Sequence, residues 1–203
     1  IFVKNQSMKK LLIFLFCSVV AFAQKDLSAS EKFQTELNQS FSDSLKSPLT
    51  KEDLQHFKGL DFFPLNEKYI VEAKFVRTKK EKAFAMKTTT SRTPLYVKYG
   101  ELHFTIDEKE FKLNVYQNID LSKKPGYADY LFLPFSDLTC GKESYIGGRY
   151  VDMRMQKGKT WTIDFNKAYN PYCAYNYKYS CPIVPLENDL DIEILAGVKK
   201  FHD

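Results

Sequence analysis

The sequence predicts a mainly β fold, an antiparallel barrel or sandwich with two short N-terminal helices packed on it. Two observations support this prediction. Apolar residues recur about every fourth position up to Lys58 and at alternate positions beyond Gly59, which indicates a change from helix to strand. The strand-like runs then follow one another without helices that could serve as crossovers, and this favours antiparallel pairing.

Two helices are predicted before residue 59. The first begins at the capping-box spacing of Ser28 to Glu31, and the second at a weaker cap signal from Thr50 to Asp53. The first cap is followed by an apolar stripe at Phe33, Leu37, Phe41 and Leu45. Gly59 stands where a left-handed C-cap residue is expected to end the second helix.

Nine short runs rich in β-branched and aromatic residues predict the strands. Apolar and polar residues alternate on both sides of Asp107 to Glu110, which predicts a β-hairpin there. The nine runs are Tyr69–Val76, Phe84–Thr88, Leu95–Tyr99, Leu102–Ile106, Phe111–Val115, Tyr130–Leu133, Arg149–Met155, Trp161–Phe165 and Leu190–Leu195. Short strands of this kind are typical of an antiparallel barrel or sandwich.

The first 23 residues predict a secretory signal peptide. Met8, Lys9 and Lys10 precede an apolar run, residues 11–20, that is too short to span a bilayer. A small-x-small pattern at residues 21–23 predicts cleavage before Gln24, and residues 1–7 are interpreted as upstream translation. The bulky residues before Cys17 argue against a lipoprotein site. We therefore expect residues 24–203 to form one soluble β-rich domain, exported to the periplasm or the exterior, with no transmembrane segment.

The charge balance disfavours nucleic acid as a partner. The formal net charge of the whole chain is +5, from 30 basic and 25 acidic residues. Three of the lysines fall within residues 1–23, so the predicted mature chain keeps 27 basic residues and a net charge of +2. Glu81 interrupts the basic run at residues 79–82, which indicates a solvated turn.

The turn-rich segment from Asp164 to Asn188 is predicted to carry the functional site. It holds five tyrosines, two cysteines, three prolines and four asparagines. Proline and asparagine favour turns, which hold polar side chains at a low cost in entropy. The predicted ligand-binding residues are Arg149, Asp152, Asn166, Tyr169, Asn170, Tyr175 and Asn188. Asp164 and Glu187 are candidates for a general acid and base, or simply for acceptors at turns and caps.

Strand alternation places Arg149 on the apolar face of its run, together with Val151 and Met153. The guanidinium could then anchor a ligand carboxylate or phosphate, or pair with one of the acids Asp152, Asp164 and Glu187. The alternative is that the strand has only just begun and the side chain bends to solvent.

The three cysteines of the predicted mature chain leave several hypotheses open. Turns at the ends of the loop from Cys173 to Cys181 favour a disulfide between these two residues, with Cys140 single. Two free buried thiols are the alternative. Cys173 is also a candidate nucleophile, because the Asn-Pro-x-Cys sequence places it in a rigid turn, although no histidine lies near it in sequence.

The sequence implies no cofactor and disfavours a metal. Its histidines, His56, His103 and His202, lack paired spacing, and the cysteines lack a CxxC pair. The acids at positions 189, 191 and 193 alternate, which usually means one solvated face of a strand and not a calcium site.

Ordered motifs in the second half of the chain resemble a bacterial domain-of-unknown-function family, number 1684. The motif-dense part runs from about residue 131 to 199, and a looser resemblance begins near residue 57. The motifs are Leu133–Asp137, Thr139–Gly141, Glu143–Tyr145, Gly148–Asp152, Asp164–Pro171, Cys173–Tyr175, Cys181–Pro182 and Pro185–Asn188. The resemblance implies no established reaction. Similar members often carry no export signal, so it does not tie the cysteines to a disulfide alone.

Two classes of function follow from these patterns. The first is a hydrolase-like enzyme or a ligand-binding protein. Either would hold a small molecule in a polar pocket near the segment Asp164–Asn188, which we call the tyrosine-rich segment. The second is a non-catalytic exported module that binds a glycan or a partner protein through exposed tyrosines. Whether the polar residues line one concavity or spread over an outer face distinguishes the two.

Overall fold

The computed structural model describes residues 25–202 as a mainly β protein whose antiparallel sheet curls into a half-barrel. The predicted signal peptide, with its cleavage site before Gln24, lies outside the described residues. No helix within residues 25–202 combines the length and apolar character needed to cross a membrane.

The secondary structure comprises two helices and eight strands in the described part of the chain. The helices are α1 (Ser28–Ser42) and α2 (Lys51–His56). The strands are β1 (Ile70–Arg77), β2 (Phe84–Ala85), β3 (Leu95–Ile106), β4 (Lys109–Asn118), β5 (Tyr130–Asp137), β6 (Arg149–Arg154), β7 (Thr160–Asp164) and β8 (Asp189–Leu190). Single 3-10 turns at Phe165–Lys167, Tyr172–Ala174 and Leu186–Asn188 shape the predicted site segment.

The strands follow the order β6-β5-β4-β3-β1-β7 across the sheet, with every neighbouring pair antiparallel. β2 adds to β3, and the two-residue β8 runs parallel to β5. The chain beyond β7 returns to β6, where Tyr150 and Tyr169 exchange backbone hydrogen bonds of 2.9 and 3.0 Å. The two ends of the sheet are thus bridged by a single residue pair, which makes an open half-barrel and neither a closed barrel nor a sandwich.

The helix boundaries differ from the sequence prediction at three points. α1 ends at Ser42, so Leu45 lies beyond it and is 94% exposed instead of joining the apolar stripe. α2 is capped as predicted, because Thr50 Oγ1 accepts from the backbone N–H of Asp53 at 3.1 Å. α2 ends at His56, so Gly59 is not its C-cap residue. The predicted capping box of α1 is not formed, because Leu27 is the N-cap residue, Ser28 is the first helical residue, and the Asp26 carboxylate accepts the Ser28 N–H.

The predicted hairpin is confirmed, and two predicted strands prove to be one. Asp107 and Glu108 form the turn between β3 and β4 with φ values of 50° and 62°, which suits a two-residue connection. The runs 95–99 and 102–106 join in β3 through a register shift between Lys98 and Gly100. The sequence suggested a break because the glycine interrupts the apolar alternation.

The two faces of the sheet pack against different apolar clusters. One face carries the main core, in which Leu102, Leu113, Leu131, Leu133 and Ile163 are fully inaccessible to solvent. The opposite face carries a smaller, largely aromatic cluster. Its buried members are Met86, Tyr96, Tyr116, Phe132 and Tyr150. The two sets alternate along the strands, as the pleat requires. The candidate site is built on the aromatic face.

Candidate functional site

A cleft of about 380 Å³ lies between the aromatic face of the sheet, helix α1 and the tyrosine-rich segment. We call it the aromatic cleft. Its described lining consists of Phe33, Leu37, Tyr96, Leu121, Tyr130, Phe132, Tyr150, Asp152, Tyr169, Pro171, Tyr172, Tyr179, Ser180, Cys181 and Pro182. Eight of these fifteen side chains are aromatic, so the cleft offers a ligand mainly ring faces and edges.

The Asp152 carboxylate is the polar centre of the aromatic cleft. Asp152 lies on β6 opposite Phe132 of β5, so both side chains emerge from the aromatic face. Tyr130 of β5 and Tyr169 of the tyrosine-rich segment each donate a hydroxyl hydrogen bond of 2.6 Å to Asp152 Oδ1. Within residues 25–202 no hydrogen bond reaches the other carboxylate oxygen, Oδ2, which leaves this oxygen as an acceptor for a ligand.

Both tyrosine donors keep their protons over a wide pH range. Burial raises the pKa of Tyr130 and of Tyr169 above the ordinary value of 10.0, and the negative charge of Asp152 raises both further. A neutral hydroxyl donates to a carboxylate, whereas a phenolate would repel it. The two tyrosines therefore hold one oxygen of Asp152 in place without changing the charge of the group.

The charge of the aromatic cleft is negative. Of the described residues that line it, Asp152 alone carries a formal charge at neutral pH. Arg92 lies at the rim, where it donates to the Ser180 hydroxyl at 3.2 Å and to the Ser180 carbonyl at 2.8 Å. No ion pair joins Asp152 to a described cation. Asp152 is exposed, so water solvates its carboxylate in the free protein, and the carboxylate together with the neighbouring rings favours a positively charged guest.

Helix α1 and the tyrosine-rich segment are fastened to each other beside the aromatic cleft. Ser30 donates to Asp164 Oδ2 at 2.7 Å, and Gln34 donates to the Asn166 carbonyl at 3.0 Å. The Tyr150 hydroxyl donates to the Pro182 carbonyl from the sheet side. These bonds hold the walls of the cleft at both ends of the tyrosine-rich segment.

Arg149 is fully buried and belongs to the main core, not to the aromatic cleft. Its guanidinium pairs with Asp137 at 2.5 Å and also donates to the carbonyls of Ile194, at 2.9 Å, and Ala196. Strand alternation predicted the buried face correctly. The predicted partners were wrong, because Asp137 faces Arg149 from the neighbouring strand β5, whereas Asp152 emerges on the opposite face.

The three predicted asparagines are buried and bond backbone groups. Asn166 exchanges hydrogen bonds with the N–H and carbonyl of Asn66, at 2.9 and 3.0 Å. Asn170 donates to the Lys199 carbonyl at 2.8 Å. Asn188 bonds the N–H and carbonyl of Asn114 and the Pro134 carbonyl. None of the three lines the aromatic cleft. They build the walls that position the site.

The remaining predicted residues lie apart from the aromatic cleft. Tyr175 packs edge-on against Phe41 of α1, with ring centroids 4.8 Å apart. Asp164 accepts hydrogen bonds from Ser30 and from the Asn166 backbone, while Glu187 is exposed on a 3-10 turn. The structure therefore does not bring the two candidate catalytic carboxylates to the cleft.

Cys173 and Cys181 lie side by side as free thiols, and Cys140 is free as well. The backbone N–H of Cys173 donates to Cys181 Sγ at 3.2 Å. Cys181 lines the aromatic cleft, whereas Cys173 lines a second cavity of about 410 Å³. We call the second one the thiol cavity. Its described lining is Gly141, Ser144, Tyr145, Ile146, Cys173, Ala174, Tyr177, Lys200, Phe201 and His202.

Four aromatic strand residues of the cleft were missed by the sequence analysis, namely Tyr96, Tyr130, Phe132 and Tyr150. A signal was available for two of them. Tyr130 and Phe132 alternate with Leu131 and Leu133, so a buried strand with aromatic residues on its second face could have been inferred. The residues of α1 could not be connected to the site, because their contact with it depends on the tertiary structure.

No group of three or more His, Cys, Asp and Glu side chains within residues 25–202 could hold a metal ion.

The same fold is found in a solved structure of another protein. The solution NMR structure of an uncharacterised protein from Haloarcula marismortui is similar to this chain with a TM-score of 0.67 and 31% sequence identity. The match covers 85% of this chain and 92% of that chain. The family model described as protein of unknown function, DUF1684, matches residues 55–199. The chain therefore belongs to this family, which confirms the resemblance of its motifs. No curated protein matches the chain.

Proposed function

We propose that this protein binds a small organic cation, an amine or a quaternary ammonium compound, in the aromatic cleft. The observation that carries the proposal is the Asp152 carboxylate, which stands among aromatic rings and forms no direct ion pair with a cation of residues 25–202. A cation over an aromatic face gains about 0.5–1 kcal/mol at exposed sites and about 2 kcal/mol or more when water is excluded. Rings and carboxylate together favour a positively charged ligand.

The hydrogen bonds of Asp152 support a binding role for the carboxylate. Tyr130 and Tyr169 both bond Oδ1, so the group is oriented before a ligand arrives and loses little freedom when it binds. The free oxygen, Oδ2, would accept from a ligand N–H or lie against a quaternary ammonium. Rings of Tyr96, Tyr150 and Tyr172 would contact the apolar part of the ligand.

The size of the aromatic cleft suits a small molecule, because pockets for such ligands measure roughly 300–1,000 Å³. Asp152 and Tyr169 are the two predicted ligand-binding residues that contribute to it. The predicted leader peptide would expose the protein to cations of the periplasm or the exterior. The alternative function, a glycan- or protein-binding module, is supported by Tyr177, whose side chain is 97% exposed on the tyrosine-rich segment.

Titration calorimetry of the full-length chain would test the proposal. The two probes are choline and its neutral carbon isostere, dimethylbutanol, which differ in charge but hardly in shape. We expect choline to bind more tightly, and Asp152→Asn to weaken it by about tenfold or more, since tenfold corresponds to 1.4 kcal/mol. Asp61→Asn is the matched control, because Asp61 is an exposed carboxylate outside the aromatic cleft that pairs with Lys199.

Two results would contradict the proposal. Equal affinity for choline and its isostere, or equal affinity of the parent and Asp152→Asn, would show that the carboxylate does not recognise charge. A parallel titration with neutral oligosaccharides examines the alternative. Binding of sugar but not of choline, lost on Tyr177→Ala and kept in Asp152→Asn, would favour a glycan-binding module.

A further inference from the structure

The paired thiols form the wall between two cavities. Cys173 contributes to the thiol cavity and Cys181 to the aromatic cleft, and the Cys173 N–H donates to Cys181 Sγ at 3.2 Å. Thr89 holds Cys181 from the other side, because its hydroxyl accepts from the Cys181 N–H at 3.1 Å and its own N–H donates to the Cys181 carbonyl at 2.9 Å. These hydrogen bonds fix the backbone of both cysteines, so the two sulfurs stay close to each other.

The surroundings of the two sulfurs differ. The Tyr145 hydroxyl lies 4.0 Å from Cys173 Sγ. The hydrogen bond from the Cys181 thiol lowers the pKa of Cys173, with smaller contributions from Tyr145 and Thr89. The same hydrogen bond with Cys173 raises the pKa of Cys181, and burial raises it further. These opposite pKa directions, together with its position on the thiol cavity, make Cys173 the better nucleophile of the pair.

The thiol cavity borders Cys173, a residue that is 7% exposed. Its described lining includes Lys200 and His202 but no carboxylate. The ionisable groups that face Cys173 are Cys181, Tyr145 and, across the cavity, Tyr177, Lys200 and His202. His202 also pairs with Asp53 at 3.7 Å, so a carboxylate lies beside the cavity as well. The exposed side chains of Ile146 and Tyr177 form the outer wall of the cavity.

We infer that Cys173 and Cys181 form a redox-active dithiol that exchanges with a low-molecular-weight disulfide entering the thiol cavity, Cys173 attacking and Cys181 resolving. The Cys173 thiolate attacks one sulfur of the small disulfide, whose S–S bond breaks, and a mixed disulfide with Cys173 forms while one small thiolate leaves. Cys181 then gives up its proton and attacks the Cys173 sulfur, which expels the second small thiolate. The protein loses two electrons, and one disulfide becomes two thiols.

Glutathione disulfide, which is anionic at neutral pH, is the probe. The reduced full-length chain is incubated with it near pH 7, alkylated rapidly and mapped by peptide mass spectrometry, so that each cysteine is read separately. We expect a Cys173–Cys181 disulfide that dithiothreitol reverses in the native protein, with Cys140 still available to the alkylating reagent. Cys181→Ser should accumulate the mixed disulfide on Cys173. Cys173→Ser should carry no more mixed disulfide on Cys181 than on Cys140.

The parent protein offers a second measurement that needs no variant, in case the substitutions impair folding. Carbamidomethylation of Cys173 should reach half of its maximal rate below about pH 8.5, the ordinary pKa of a cysteine. Three outcomes would overturn the inference. They are equal mixed-disulfide formation on Cys181 in Cys173→Ser, a disulfide that resists dithiothreitol until the protein is unfolded, and a half-maximal rate at or above that pH.

Discussion

Arg149 and Asp137 form a salt bridge of 2.5 Å in which both side chains are completely buried. The pair joins the neighbouring strands β6 and β5, and the guanidinium continues to the carbonyls of Ile194 and Ala196 in the C-terminal segment. A desolvated ion pair is stabilised when its remaining donors are satisfied. These carbonyls satisfy the two terminal nitrogens of Arg149, while its Nε has no hydrogen-bond partner within residues 25–202. The pair thus fixes the C-terminal segment on the core.

Removal of the Arg149 guanidinium should be strongly destabilising. Arg149→Met leaves Asp137 buried without a counter-charge, so we expect the free energy of unfolding to fall by about 3–5 kcal/mol. Arg149→Lys should cost nearly as much, because one ammonium cannot replace the fork that bonds four partners. Arg154→Met is the matched control on the same strand, where the pair with Asp129 is half-exposed and contributes less than about 1 kcal/mol. Equal denaturant midpoints for Arg149→Met and Arg154→Met would refute this role.

Asn188 should contribute nearly as much to the free energy of unfolding as the buried ion pair does. β4 and β5 share one registered pair, Tyr116 with Phe132, and Pro134 of β5 has no N–H to donate. The Asn188 amide fills the gap by bonding the N–H and carbonyl of Asn114, both at 2.8 Å, and the Pro134 carbonyl at 2.6 Å. Asn188→Ala leaves these groups buried and unsatisfied, at about 1–3 kcal/mol each.

Chemical denaturation would measure the effect of Asn188→Ala. Asn176→Ala is the control, because Asn176 accepts one local hydrogen bond, from the Lys178 N–H at 3.2 Å, and is partly exposed. We expect a clear loss for the first variant and a change below about 1 kcal/mol for the second. A loss no larger in Asn188→Ala than in Asn176→Ala would mean that water or a shifted strand replaces the amide.

Gly148 lies directly before β6, where the backbone packs closely against β5, and Gly158 between β6 and β7 is its matched control. Both have left-handed φ values, 81° and 79°, so alanine is strained at either position by about 1–2 kcal/mol. A Cβ at position 148 would also lie 2.6 Å from the Phe135 carbonyl oxygen, whereas one at position 158 meets nothing within 4 Å. Gly148→Ala should therefore lower the melting temperature more than Gly158→Ala. Equal losses would show that β5 moves away freely.

Alkaline pH should unfold the protein as its buried tyrosines ionise. Burial raises the pKa of Tyr116 and of Tyr145 to about 12, and it raises that of Tyr150 further. In the unfolded chain tyrosine ionises near pH 10. Above that pH the unfolded state binds fewer protons than the folded state, so the free energy of unfolding falls as the pH rises. Below about pH 10 this contribution is fully present.

Tyrosinate absorbance and denaturant unfolding at matched pH values would check the alkaline transition. We expect some of the 13 tyrosines to ionise near pH 10, the ordinary pKa of tyrosine. The buried tyrosines should ionise only when the protein unfolds. Ionisation of all tyrosines in a single step near pH 10, with the protein still folded, would contradict the burial of these hydroxyls.

Local spacing along the chain was sufficient to predict several features of the fold. Alternation along each strand was enough to predict a mainly β protein, the hairpin at Asp107 and the burial of Arg149. The cap at Thr50 was predicted as well, since the side chain bonds a backbone group three residues away. Interactions of this kind need no knowledge of the fold, because both partners are close in the chain.

The tertiary structure alone decided which side chains meet across the sheet. Asp137 and Arg149 are twelve residues apart and pair because β5 and β6 are neighbours, and sequence periodicity does not encode which strands are neighbours. The same holds for the aromatic cleft. Tyr130, Asp152 and Tyr169 come from two strands and a returning loop, and they converge only because the half-barrel brings its ends together at Tyr150 and Tyr169. Their contact depends on the curled sheet, because the register between the three segments determines which side chains meet.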